Sequence, residues 1–374
     1  MGILEKERRF LRRMINFSYC IGQYYGEKRK IKDKRRIALL QKVNLTSEQV
    51  EMIDSFYTKN YGKKIPYNWH KLYQSYTGKF DEQYFPEILF SSDYEPTVNP
   101  AEYRYVLDDK LLLNVFCMGI NNVRTPKVFG TFCNGVFWGD DNVAISKKYF
   151  LQQLSELGKA IIKPVQDTSS GQGVLLVNFR DGIDTESGKT IECLINEYRV
   201  AFQIQEVIMP HRSLKNLYPN AINTFRIVTY IWNGEVHYWP VTLRIGQGGS
   251  YLDNTHAGGM FIAVNDNGNL SSKAFTEFQT IYEMHPDTKV VFKGYNIPFV
   301  KDLIQCAKKM HLNTPQLGVI SWDLTIDEND RFVLIEANTR GQTIWFPQMA
   351  SGRAAFGADT AEILRFLSTK KDTM

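Results

Sequence analysis

Apolar residues recur at helical spacing near the start of the chain. Phe10, Leu11, Met14 and Ile15 fall on one side of a 3.6-residue period, and Thr46 with Gln49 forms a capping box ahead of Val50, Ile53, Phe56 and Tyr57. The pattern predicts helices over residues 5–60 and a stop near Gly62. Residues 62–105 are crowded with Tyr, Pro and Trp, among them Trp69, Tyr73, Tyr76 and Tyr84, and predict an irregular segment packed through aromatic rings. Asp108 and Asp109 then cap a helix over 111–118, followed by a strand at 127–129, a hairpin near Gly135 and a helix over 147–157. From Ala160 onward β-rich or alternating runs dominate: 160–162, 173–177, 204–208, 224–232, 236–244, 261–264, 318–326 and 332–337. Helices are expected at 213–217, 298–310 and 359–367. Runs of strands with segregated helices predict an α+β fold of mainly antiparallel sheet.

Composition narrows the class. A chain of 374 residues, 43% apolar and 23% charged, buries a sizeable core, which excludes disorder, collagen-like repeats and a disulfide-stapled miniprotein. The length predicts two or three domains, with expected divisions at 1–62, 63–120, 121–209 and 210–374. Five cysteines (Cys20, Cys117, Cys133, Cys193, Cys306) with no C-x-x-C pair fit buried thiols in a reducing compartment and no structural zinc. No secretory h-region, acylation signal or run of about 18 apolar residues is evident, so the cytoplasm is the expected location.

Charge is uneven. The first 43 residues carry 13 Lys or Arg against 4 Asp or Glu, while the whole chain is only +5. Such a segment suits an anionic surface, membrane or nucleic acid, with Tyr19, Tyr24 and Tyr25 available to stack on bases; a solvated helix face is the plainer alternative.

Candidate chemistry concentrates in the run Gly318 to Arg340, which reads as two strands around Asn329-Asp330. A two-residue loop sets Asp323 opposite Glu336, with Asn338 on the same face, and sets Ile320, Trp322, Leu324 and Ile326 against Val333, Ile335 and Ala337 as an apolar layer. Two facing carboxylates repel and call for a cation, and an all-oxygen set suits Mg²⁺; ordinary solvent-facing strand residues are the alternative. Lys163 lies inside an apolar strand and needs an anion. Ser169, Ser170, Gly171 and Gly173 follow it, able to turn backbone N–H groups toward a phosphate, although the P-loop pattern is missing. Gln205, Glu206 and Val207 suit a hinge strand contacting adenine and ribose, and equally an ordinary strand. Arg226, Arg244, Asn254 and His256 stand near strand ends, where guanidinium groups can clamp a carboxylate or phosphate.

Taken in order, these pieces resemble the ATP-grasp superfamily of carboxylate-amine ligases. Asp109-Lys110 is similar to the helix opening in D-alanyl-D-alanine ligases, and residues 253–259 are similar to the stretch before the metal site in ribosomal-protein glutamate ligases. Residues 211–229 and the Trp69-x-x-x-Tyr73 segment resemble the branch associated with sugar transfer and surface-polysaccharide assembly. The resemblance spans about residues 65–350. It implies two α+β lobes sandwiching ATP, the small one over 121–209 and the large one over 210–374. Lys110 and Lys163 would hold phosphates, Glu206 and Val207 the adenine edge, Asp323, Glu336 and Asn338 the Mg²⁺, and Arg340 the γ-phosphate. Arg226, Arg244, Asn254 and His256 would line the acceptor side. The implied reaction is ADP-forming amide synthesis through an acyl phosphate, joining an amine such as an amino acid to a sugar carboxylate such as a uronic acid. The reverse polarity and a non-catalytic nucleotide-binding module remain alternatives. The expected partners are ATP, these two substrates and, for residues 1–43, an anionic membrane surface in preference to nucleic acid.

Overall fold

The computed structural model describes residues 3–165, 171–198 and 201–371, with side chains from Met14 onward except those of Ala257 and Lys371. The chain opens with α1 (Ile3–Lys30), α2 (Lys34–Leu40) and α3 (Ser47–Tyr61), as the periodicity predicts. The capping box is present: the Gln49 N–H donates to Thr46 Oγ1 at 3.2 Å and the Thr46 N–H donates to Gln49 Oε1 at 3.1 Å. Among the described residues, no helix is long and apolar enough to cross a membrane.

Residues 62–105 differ from the expectation of irregular chain. They hold α4 (Asn68–Thr77) and the short helical turns Glu87–Leu89, Phe90–Tyr94, Glu95–Val98 and Ala101–Val106. Trp69, Leu72, Tyr73 and Tyr76 fall on one helical face and are buried, so the aromatic content concealed an ordinary 3.6-residue period. Burying each large ring contributes roughly 1.5–3 kcal/mol, which outweighs the modest helix propensity of aromatic residues.

Among the described residues sixteen strands build two sheets. In chain order they begin with β1 (Val123–Arg124), β2 (Val128–Cys133), β3 (Val136–Trp138), β4 (Ala144–Ile145), β5 (Gly158–Pro164), β6 (Leu175–Arg180), β7 (Ile183–Asp184) and β8 (Phe202–Glu206). The second half comprises β9 (Phe225–Trp232), β10 (Glu235–Tyr238), β11 (Val241–Ile245), β12 (Met260–Val264), β13 (Leu270–Phe275), β14 (Ile281–Tyr282), β15 (Val319–Ile326) and β16 (Phe332–Asn338). The small sheet is ordered β4-β3-β2-β8-β5-β6-β7 and the large one β1-β16-β15-β9-β11-β12-β13-β14, with β10 on β9. All pairings are antiparallel except β1 with β16. The single strand expected over 236–244 is two, because Pro240 has no N–H to continue the ladder.

One face of the large sheet packs Trp322, Leu324 and Leu334 against Leu303, Ala307 and Met310 of the helix Val300–Leu312. The other face carries the aromatic layer of α3, α4 and the helix Trp345–Ser351. A separate apolar cluster lies on the small sheet.

The β15–β16 hairpin reaches the expected pairing by a different route. Its loop is one residue longer than the predicted two, so Ile326 faces Phe332 and Leu324 faces Leu334; a bulge at Ile335 then shifts the register and sets Asp323 opposite Glu336. The bulge also corrects the apolar layer. Leu334 is the buried core residue, and Ile335 turns into the cleft between the sheets.

Candidate functional site

A cleft of about 530 Å³ opens between the two sheets. Ile161, Lys163 and Gln205 come from the small sheet; Arg226, Arg244, Asp323, Ile335, Glu336 and Asn338 come from the large one. Lys110, Gly171, Asn254, His256 and Arg340 complete the set of predicted residues gathered there. Its ionic lining is five cations and four carboxylates, a balance that favours an anionic guest.

The floor is tightly paired. Antiparallel pairing places Arg226 directly opposite Asp323, and its guanidinium fork holds both carboxylate oxygens at 2.8 Å. Arg244 donates to Asp323 Oδ2 at 2.9 Å and to Thr224 Oγ1 at 2.7 Å. Burial pushes the Asp323 carboxyl up, but the two arginines overcome this and hold it below its ordinary value. Asp253, also buried and raised by burial, accepts from the Thr224 N–H at 2.8 Å. The turn following Asp253 needs Gly259, since a Cβ there would lie 2.4 Å from the Asp253 carbonyl oxygen.

The opposing wall is not. Lys163 is 5% exposed and makes no hydrogen bond or ion pair among the described residues. Burial and the neighbouring Lys110 push its ammonium down to about 8. Lys110 itself reaches Glu336 Oε1 at 3.0 Å. Gly171 lines the cleft; Gly173 does not, and its φ of 72° with Pro164 against its missing Cβ explains the glycine as a tight turn. Ser169 and Ser170 lie outside the described residues.

Two predicted residues stand at the hinge. Glu206 and Val207 do not line the cleft. The Glu206 carboxylate is held by Arg124 and accepts the Lys127 N–H at 2.6 Å, while Arg124 also binds Asp327 at 3.1 Å. This bridge ties the end of β8 to the β15–β16 turn, an electrostatic joint between the sheets where an adenine contact was expected.

The facing carboxylates have cations of the chain beside them. Arg226 and Arg244 neutralise Asp323, and Lys110 neutralises Glu336. Asp323 accepts three N–H bonds, leaving one of its four lone-pair positions. Glu336 Oε2 and the Asn338 side-chain oxygen have no partner among the described residues. Among those residues no cluster of three His, Cys, Asp or Glu able to hold a metal exists. The donors present therefore fit a Mg²⁺ carried by Glu336 and Asn338 together with phosphate oxygens and water, with Asp323 serving the arginines.

Several lining residues escaped the sequence. Tyr19 and Gln23 of α1 reach the cleft, although α1 stood outside the resemblance. The Tyr19 hydroxyl donates to Glu95 Oε2 at 3.1 Å and accepts the Gly341 N–H at 3.2 Å. Glu95 is fully buried, and burial raises its carboxyl to about 7 against the opposing pull of the Gln342 and Gly341 N–H groups, Tyr19 and Arg104. Arg104 is buried over the Tyr19 ring at 3.9 Å. A polar stripe at Asn16, Cys20, Gln23 and Glu27 was the available signal. Arg340 is paired with Asp108 at 2.9 Å, and His256 Nδ1 with Glu277 at 2.8 Å. The five cysteines are all free, but only Cys306 is buried; Cys20, Cys117 and Cys133 are half-buried and Cys193 is exposed, which corrects the expectation of buried thiols for those four.

Residues 89–362 match the sugar-transfer associated ATP-grasp family. The chain belongs to that family. No curated protein matches it. Among solved structures it is similar to a D-Ala:D-Ser ligase from Enterococcus faecalis (13% identity, 72% of this chain, 62% of that chain, TM-score 0.40). It is also similar to a D-alanyl-alanine synthetase from Vibrio cholerae (13%, 71%, 64%, 0.40). A third likeness is to an N5-carboxyaminoimidazole synthetase from Staphylococcus aureus complexed with ADP (12%, 68%, 53%, 0.37). The chain thus spans under two thirds of the length of the first of these, and the family match alone carries the assignment.

Proposed function

We propose that this ATP-grasp protein is an ADP-forming ligase that joins an amine to a carboxylate, the carboxylate being a sugar acid such as a uronic acid, in surface-polysaccharide assembly. The observation that carries the reading is Lys163, a buried cation that makes no ion pair among the described residues, set beside Lys110 in a cleft between two sheets. A triphosphate supplies the missing charge.

In this reading the carboxylate oxygen attacks the γ-phosphorus, the bond to ADP breaks, and an acyl phosphate forms; the amine then attacks the carbonyl carbon, loses a proton and expels phosphate. Phosphoryl transfer asks chiefly for positioning and positive charge. Lys110 and Lys163 hold phosphates, and Arg340 stands where the moving group passes. Mg²⁺, when bound by Glu336 and Asn338, would neutralise phosphate charge. Arg226 and Arg244, fixed by Asp323, orient the acid substrate together with Asn254 and His256. Tyr19 lines the cleft with its hydroxyl donating to Glu95, so the proton lost by the attacking amine would pass to the Tyr19 oxygen as the Tyr19 proton passes to the Glu95 carboxylate.

The test is ADP release across a panel of uronic acids and amino acids, run with nucleotide-binding titrations. Release that requires both a carboxylate and an amine supports the ligase. Binding of ATP without release on any pair points to a nucleotide-binding module, and failure to bind ATP removes the reading.

A further inference from the structure

The two long sides of α1 face opposite chemistries. Its inner side is polar: Tyr19 and Gln23 line the cleft, and Glu27 is buried and bonded to Lys30 at 2.6 Å. Its outer side is apolar. Met14, Phe17, Ile21 and Tyr25 are 52%, 66%, 40% and 65% exposed, and their spacing of three, four and four residues draws one stripe along the helix. A helix that only covered a core would turn this stripe inward. Here the inner side is taken by the cleft wall, and the stripe is left in water.

The charges around the stripe select what covers it. Lys28, Arg29, Lys30, Lys32, Lys34 and Arg35 are exposed at the C-terminal end of α1 and the start of α2. The segment 1–43 carries 13 basic and 4 acidic residues. A second copy of this chain on the same stripe would press two strongly positive segments together. An anionic bilayer accepts both features, because rings and aliphatic chains enter the boundary of the acyl region while Lys and Arg meet the headgroups.

We propose that the outer face of α1 docks on an anionic lipid bilayer, the helix lying in the plane of the interface. Because Tyr19 and Gln23 belong to the same helix, the cleft then sits beside the membrane surface. The inference does not depend on which reaction the cleft performs.

The experiment is flotation of the full-length protein with vesicles of phosphatidylcholine alone and of equal parts phosphatidylcholine and phosphatidylglycerol. The protein floats with the anionic vesicles, stays behind with the neutral ones, and is released by high salt as the screening length of ~10 Å at 0.1 M shortens. Replacing Phe17→Ser, Ile21→Ser and Tyr25→Ser together weakens flotation at least about tenfold. All three side chains point into solvent, and circular dichroism checks the helix. A second variant, Lys28→Glu with Arg29→Glu, loses anionic preference while keeping the apolar stripe. Absence of flotation with anionic vesicles, equal flotation of parent and triple variant, or a dimer in sedimentation velocity that the triple variant abolishes would each overturn the proposal. Nucleotide binding is measured on the same variants, so a failed cleft and a failed docking face are told apart.

Discussion

Two buried charges share one cleft under opposite rules. Asp323, on the large-sheet floor, is 1% exposed and accepts three N–H bonds from Arg226 and Arg244. Lys163, on the small-sheet wall, is 5% exposed and has no partner among the described residues. Removing a charge from water is costly, so each arrangement must be compensated somewhere. The floor is compensated within the chain and therefore holds its shape without a ligand. Among the described residues the wall is not, and under the proposed function an anion of the guest would supply what it lacks.

The contrast breaks most visibly at the floor. Asp323→Ala leaves two buried guanidiniums without their carboxylate and should destabilise the protein by about 3–5 kcal/mol in urea unfolding; a loss under 1 kcal/mol would mean that Asp323 is not the keystone of this network. Glu95 offers a case between the two, a buried acid raised by desolvation but served by hydrogen bonds. Its pKa of about 7 lies above the unfolded carboxylate value, so the folded state holds its proton longer. The Glu95 contribution to stability should be fully present below about pH 4.5 and fall by about 3 kcal/mol as pH rises to 7, with Glu87, also raised by burial, adding in the same direction. Glu95→Gln should remove its share of that slope in unfolding curves taken across the window.

At the wall the expectation reverses. Lys163→Met should leave stability within about 1 kcal/mol of the parent or raise it, yet weaken ATP binding about 100-fold in calorimetric titration. A smaller effect sharpens the same point. The Lys163 ammonium, lowered to about 8 by burial and Lys110, should rise again when phosphate arrives. Above pH 8, ATP binding should therefore take up as much as about one proton, read as a dependence of binding heat on buffer ionisation and absent in the Met variant.

Much of this was written locally. The capping box at Thr46 and Gln49 and the burial of Lys163 in an apolar run depend on neighbours within a few residues and stand as predicted, whereas the expected alternation of β16 is broken where Leu334 takes the core position given to Ile335. The helix α4 was equally local but hidden, because Trp69, Tyr73 and Tyr76 were weighed as aromatic content before their spacing was counted. The hairpin shows a subtler limit. A loop one residue longer and a bulge at Ile335 cancel, so Asp323 still faces Glu336 although the intervening pairs are shifted. No local rule places that bulge.

Sequence alone determined the periods that make the helices and strands, the basic excess of residues 1–43, and the residue types able to hold a phosphate, because these follow from side-chain chemistry and short-range geometry. Tertiary structure decided which charges meet. Arg226 lies 97 residues from Asp323, Tyr19 lies 76 from Glu95, and Glu206 lies 82 from Arg124, whose grip turns it from the cleft to the hinge. Coulomb interaction depends on separation in space and on exclusion of water, and both are set only when the sheets and α1 have packed.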